Sequence, residues 1–500
     1  MSRPAVGSPE PRGAASATDW PRTGALDSEQ ILAIDRASRE VLAEVGVRIS
    51  ACGLLDEWDG QGLAIDHDRR TVRIQPEAVE KALRTVPRWV EVFSRDGAGS
   101  VVIGGGQPPR FAAGFNATFD ADPFTGRRRR PGIRDVAECA LLSHFLEEVD
   151  VVGPLFIPHD VPAASSLLHA LYAVLDNTTK PALFAPENDA EAEGALEILR
   201  AAAGDDAVSR KPVGICQFSP SSPLFWNEGT LRGFLRVARA GFPCTILPGP
   251  LAGATSPYTL AANLVQKNAE MLSGLVIAQL ANPGTPLLSY NGGGQLEMSS
   301  QCAVFGTPEI ALILMAGSQL ARHYGIPSHA CIPCSDSHIP DEQLGMENGV
   351  LFMAGLMSGT DLMVNAGMFA AGETACREQL VVDNEMIRNL RRIARGMAVD
   401  SAHLCVDAFR RVGPGGTYLE DPSTLEHLRS GEWSASRLWE RRRFERWQEG
   451  GSPSIMEKAR AAVNAMKGRE APRLGPVAAA RISRIIRAHE ARAGACERAP

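Results

Sequence analysis

Apolar residues recur at helical spacing over residues 28–47, where Ile31, Ile34, Ala37, Val41, Leu42 and Val45 share one face. Short apolar or alternating runs at 71–75, 89–95 and 100–106 predict strands. These elements predict a small α+β cap over residues 28–108. From residue 110 the pattern changes. Short apolar runs that end in Gly, Asn, Pro or polar residues alternate with helical stretches. The runs lie at 110–116, 149–158, 181–186, 212–218, 243–249, 286–293, 327–333 and 361–367. Five begin at or beside a proline that follows a helical stretch, where a helix is expected to stop.

The stretches between them fit helices. Residues 133–149 open with an acidic turn. Residues 256–281 offer Ser256 as N-cap with Pro257 next, and 306–325 offer Thr307, Pro308 and a stop at Gly325. Eight alternating units predict an α/β protein with a (β/α)8 TIM barrel over residues 109–400. A Rossmann-type sheet fits less well, because Gly104–Gly106 lead into "QPPRF", which opens no helix. Residues 384–399 read as helix. Residues 401–500 predict a C-terminal helical extension, in which 435–450 reads as a solvated amphipathic helix or a partner surface. Residues 1–27 are rich in Pro, Gly, Ala and Ser without an apolar signal core, and read as a flexible tail.

Composition narrows the function. The 500 residues are 44% hydrophobic with a formal charge of −7, which argues against a nucleic-acid-binding surface. The longest apolar stretches, such as 270–281, are too short to span a bilayer. Ten scattered cysteines fit reduced thiols in a cytoplasmic protein, and a homo-oligomer is left open.

Barrel enzymes work at the C-terminal ends of their strands. Those ends deliver Phe115 and Asn116, Phe156, Phe184, Gln217 and Phe218, then Tyr290 and Asn291. The seventh delivers His329, Cys331 and the loop from Cys334 to His338; the eighth delivers Asn365, with Glu373 beyond it. The chain is only 6% aromatic, yet five of eight strands end near an aromatic. Ring faces attract cations, so an aromatic cage with a few amides suits a quaternary ammonium. The plain alternative is that Phe fills the packed layers inside the barrel.

Residues 247–294 ("LPGPLAGATSPYTLAANLV…YNGGG") and 305–349 ("FGTPEIALILMAG…PDEQLGMENG") resemble the trimethylamine methyltransferase family. So do "REQLVVDNEMI" at 377–387 and "GRRRRPGIRDV" at 126–136, and the resemblance runs from about residue 28 to 410. It implies a (β/α)8 barrel. It also implies transfer of a methyl group from a small quaternary or methylated amine to the Co(I) of a cognate corrinoid protein. The cobalt corrinoid then comes with the partner, and no cofactor or metal is expected on this chain. The chain has only standard residues, which resembles the glycine betaine branch rather than the pyrrolysine-bearing founder. Under that reading Asn116, Gln217, Asn291, His329 and His338 are candidate donors to a substrate carboxylate. Asp336, Asp341, Glu347 and Glu373 are candidates to offset the cation, although Asp341 reads equally as the N-cap of the next helix. The arginines of 126–130 fit an acidic partner, a substrate carboxylate or plain solvation. Gly292–Gly294 fit a close backbone approach to a ligand or a turn.

Two other readings attach to "SHACIPCSDSHIPDEQ" at 328–343. One C-x-x-C pair with His323, His329 or His338 is thin for zinc, which takes three or four ligands. A redox pair would be expected to open a helix, and Pro333 does not favour one. A non-catalytic amine-binding protein and methyl transfer to a folate are the remaining alternatives.

Overall fold

The structure is a computed structural model, and it describes residues 22–58 and 61–496. The predicted tail, 1–27, lies outside the described residues up to residue 21.

All eight predicted strand segments contribute to one barrel. Its strands are β1 (Arg110–Ala113), β2 (residues 151–152), β3 (Ala182–Phe184), β4 (Gly214–Phe218), β5 (Cys244–Ile246), β6 (Leu287–Tyr290), β7 (Ser328–Cys331) and β8 (Leu362–Ala366). Seven pair in parallel in the order β1-β8-β7-β6-β5-β4-β3. Bridges Ala112–Val151 and Val152–Ala182 bring β2 into the remaining gap and close the ring. A helix follows each strand: α1 (Ile133–Phe145), α2 (Ser166–Asn177), α3 (Asp189–Ala203), α4 (Glu228–Arg239), α5 (Leu260–Ala281), α6 (Pro308–Tyr324), α7 (Glu342–Ser358) and α8 (Arg377–Ala394).

Local chemistry sets the helix ends. Thr307 caps α6 with Pro308 at its first position, and Gly325 stops it at φ 69°. Asp341 caps α7 by accepting from the Leu344 N–H. The Ser256 cap is corrected: α5 begins at Leu260 under Thr259, while the Ser256 hydroxyl accepts from Asn263. The predicted helix at 384–399 starts earlier, at Arg377, and stops at Ala394. The helix predicted over 435–450 shrinks to Phe444–Glu449; Arg442 and Lys458 both turn to Glu440 instead.

The N-terminal hundred residues divide between two places. Val47–Ile49 pairs with Thr71–Ile74 and, in parallel, with Phe225–Trp226 of the barrel. The hairpin Trp89–Phe93/Ser100–Gly104 goes to the N-terminal ends of the barrel strands. There the Phe93 N–H donates to the Pro212 carbonyl at 2.7 Å, and Arg110 Nε donates to the Val102 carbonyl at 3.0 Å. Val90, Val92 and Ile103 of the hairpin pack with Ala112, Val151, Leu183, Ile215, Leu288, Leu362 and Val364 from inside the barrel. One end of the barrel is therefore plugged. Helix Ile455–Met466 lies on α8, and Pro476–Cys496 lies on α3. Among the described residues no helix is long and apolar enough to cross a membrane.

Candidate functional site

Side chains on a strand alternate between faces, so neighbours in sequence face opposite sides of the barrel wall. Thr245 and His329 sit on strands that are not neighbours, yet Thr245 Oγ1 lies 2.9 Å from His329 Nδ1. Both therefore point inward. By register Gln217 matches Thr245, Tyr290 matches His329, and Cys331 stands two residues past His329. These five side chains share the interior above the plugged layer. Phe115 packs against the top of that layer.

The same alternation corrects most of the aromatic cage. Phe184 and Phe218 flank inward positions and so turn outward. Phe184 meets Phe242 at 5.9 Å between ring centroids, and Phe218 meets Phe234 of α4 at 5.3 Å. Phe156 is fully buried in the same outer core, with the Arg377 guanidinium 6.0 Å from its ring centre. Of the five predicted aromatics, Phe115 and Tyr290 are left facing the interior. Asn291 also leaves the site: it is fully buried and bonded to Ser318 of α6 at 3.0 Å.

The interior polar groups are electrically quiet. Burial pushes the His329 pKa down to about 3, so the imidazole is neutral. Burial pushes the Cys331 thiol up to about 12 and Cys334 up as well, and both are free. Cys331 Sγ lies 4.0 Å from His329 Nε2. Gln217 Oε1 is buried and has no hydrogen-bond partner among the described residues. Asn365 stands where the β8 register shifts, at φ 99°, and Asn116 is at φ 65°. For a non-glycine residue such backbone costs of order 1–3 kcal/mol and clusters at functional sites. Gly292 has a local reason: a Cβ there would run into the Tyr290 hydroxyl.

The rim holds the remaining candidates. Asp336 accepts from the backbone N–H groups of Phe305 at 2.9 Å and Gly306 at 2.8 Å. Glu347 Oε2 accepts from Ser335 Oγ and the Asp336 N–H at 2.7 and 2.8 Å. Desolvation, with Glu347 beside it, raises the Asp336 pKa. This carboxylate pair ties loop 333–341 to loop 305–306. His338 is exposed on that loop, and Glu373 is exposed 3.9 Å from Arg128. The arginine run forms the far strand of a rim hairpin, Phe119–Ala121 with Arg128–Arg129. Arg129 binds Asp120 and Asp135, and Arg377 binds the same two at 2.9 and 2.6 Å. The network lines a cleft of about 820 Å³ shared with Arg460 and Lys467.

Cys331 and Cys334 gather no metal site: among the described residues no group of three or more His, Cys, Asp or Glu could hold an ion.

A sequence profile of the trimethylamine methyltransferase family (MTTB) matches residues 8–494. The chain belongs to that family. It is 28% identical to the trimethylamine methyltransferase MttB of Desulfitobacterium hafniense (strain DSM 10664 / DCB-2), over 87% of each chain. It is 29% identical to the glycine betaine methyltransferase of Desulfitobacterium hafniense (strain Y51), over 85% of this chain and 89% of that one. The crystal structure of the Methanosarcina barkeri monomethylamine methyltransferase (MtmB) superimposes with a TM-score of 0.50 at 12% identity, covering 89% of each chain. That likeness concerns the fold, and it agrees with the barrel.

Three groups in this family member escaped the reading of the sequence. Arg377 bridges rim and helix layer; "GRRRR" was visible, but the arginine that shares its acidic partners Asp120 and Asp135 lies more than 240 residues further along the chain. Asp383 on α8 is fully buried, accepts from the Gly367 N–H at 2.7 Å and from Gln379, and has its pKa raised to about 7 by burial. Its signal was an acid on the apolar face of a helix, between Leu380 and Ile387. Lys267 of α5 is fully buried, its Nζ is without a hydrogen-bond partner among the described residues, and it lies 5.3 Å from the Tyr290 ring centre. Burial drives its pKa far down.

Proposed function

We propose that this chain takes a methyl group from a quaternary amine of the glycine betaine kind and delivers it to the Co(I) of a corrinoid carried by a partner protein. The observation that carries this reading is the uncharged polar interior at the C-terminal strand ends. The Gln217 carbonyl oxygen lacks a partner there, on the same interior face as Tyr290, neutral His329 and the protonated thiol of Cys331.

A quaternary nitrogen leaves as a neutral tertiary amine once one methyl carbon is displaced. No proton has to move, so no general acid or base is required. The task left to the protein is holding one methyl toward the mouth and excluding water. The Tyr290 and Phe115 rings offer faces to the cationic head. Gln217 and Asn365 offer amide donors to a carboxylate. The raised pKa of Cys331 has a chemical use: a thiolate beside a methyl donor would be alkylated, and the protonated thiol is a poor nucleophile. The acceptor is a second substrate, and it would approach at the rim that carries Arg128, His338 and Glu373.

The test mixes the purified protein with cob(I)alamin and, in turn, glycine betaine, proline betaine, carnitine, choline and trimethylamine. Loss of Co(I) absorbance with formation of methyl-cobalt in a betaine arm supports the reading. Turnover with trimethylamine alone would reassign the substrate. Binding of a betaine with no transfer to cobalt would leave a binding protein in place of an enzyme.

A further inference from the structure

Residues 397–433 leave the end of α8 and return at 435–438, where Leu438 rejoins the core. This arm contains helices Ser401–Leu404, Val406–Val412 and Pro422–Ser430. Among the described residues it carries ten of the twenty-four exposed large hydrophobic side chains. Leu419 is 86% exposed, Met397 81% and Phe409 62%. Ala408 is its one buried hydrophobic residue among those described, and no arm residue belongs to a core cluster. Polar contacts give the arm its shape: Arg411 grips Asp421 through two bonds of 2.9 Å, and Arg392 and Arg395 hold the carbonyls of Glu432 and Gly431. Such surface contacts are each worth about 0–1 kcal/mol. They do not offset this much apolar surface in water.

We infer that the arm is the contact surface for a second copy of this chain. Two arguments select that occupant. The first is place. Arg391, in the last turn of α8, binds Asp150 at 2.7 Å, and Asp150 accepts from the Phe111 N–H at the start of β1. The arm therefore leaves from the plugged end of the barrel. A methyl acceptor working at the mouth meets the opposite face. The second is area. Ten such side chains present on the order of 1,000 Å² per chain, which is the range of a lasting apolar interface rather than of a partner that leaves at every turnover. An interface of that kind needs a partner present in equal amount at all times, and the chain itself meets that condition. The barrel offers further apolar surface to receive it in Leu312 of α6 and Met346, Val350 and Met353 of α7.

Sedimentation of the full chain tests this. The wild type is expected at twice 53.5 kDa or a higher multiple, and the double variant F409E/L419E at the mass of one chain. The variant should still methylate cob(I)alamin at a rate within twofold of the wild type, since both residues lie far from the mouth. Hydrogen exchange on the wild type gives a second readout that does not depend on a variant folding. Dilution through the dissociation range should expose the amides of 397–433 by tenfold or more while those of β4–β7 stay unchanged. A wild type that sediments as one chain at all concentrations overturns the inference. So does a folded variant that keeps the full assembly, or an arm whose exchange ignores dilution.

Discussion

The two ends of the barrel are built from the same eight strands and differ in nearly every other respect. At the N-terminal end a hairpin fills the bore with Val90, Val92 and Ile103, and backbone bonds tie it to the ring. At the C-terminal end the inward residues are Gln217, Thr245, Tyr290, His329 and Cys331, with backbone strained at Asn116 and Asn365. Burying each large apolar side chain at the closed end contributes about 1.5–3 kcal/mol. That reserve lets the open end keep an unpaired amide and residues in costly conformations. Stability and chemistry are separated along one axis.

The sharpest way to break this contrast is to place a charge in the plug. Val92 is fully buried, and V92D should lower unfolding free energy by more than about 4 kcal/mol in a denaturant titration, or abolish the folded state. A lesser change at the open end should reverse the pattern. Q217L removes an orphan carbonyl, so stability should hold or rise, while kcat/KM for a betaine should fall at least about tenfold, or 1.4 kcal/mol. A variant with unchanged turnover would remove Gln217 from the site.

The pH dependence of stability divides the same way between two buried groups. His329 is a base with a folded pKa of about 3, below its unfolded value. The unfolded chain therefore binds the extra proton below about pH 6.5, and stability is lost as pH falls from there toward 3 by up to about 1.4 kcal/mol per unit. H329Q should flatten that limb. Asp383 is an acid raised to about 7, so here the folded chain holds the extra proton. Its contribution is full below about pH 4 and is lost as pH rises to 7, with the opposite slope. D383N should remove the second limb and leave the first, as measured by thermal melts across pH 4–8. The smallest effect is expected on the rim: E373Q, exposed and 3.9 Å from Arg128, should change stability by no more than about 0.5 kcal/mol.

The barrel was legible because its signals are local. Proline at strand starts, the Thr307–Pro308 cap and Gly325 each act within a few residues. The site was legible by position along the strands but not by direction. Phe218 and Gln217 are adjacent, and one-residue precision decides which faces the bore. Nothing in the linear pattern distinguishes them, because the outer face of each strand is as apolar as the inner one. Asp336 and Glu347 were visible as carboxylates, yet the 305–306 amides that Asp336 holds lie about thirty residues before it, and Glu347 reaches back to Ser335 and the Asp336 N–H from the next helix. The C-x-x-C spacing proved to be two consequences of one strand end: Cys331 faces the bore, and Cys334 is buried beyond the following turn.

One stave of the barrel is thinner than the others. Strand β2 meets β3 through a single bridge, with the Val152 N–H donating to the Pro181 carbonyl and the Leu183 N–H donating back at 3.0 Å. Gly153 and Pro154 then end the pairing. A closed cylinder stretched or heated parts first where its stitching is sparsest. The β2–β3 seam is therefore held less by its backbone ladder than by the burial of Val151, Val152, Ala182 and Leu183 on its two sides.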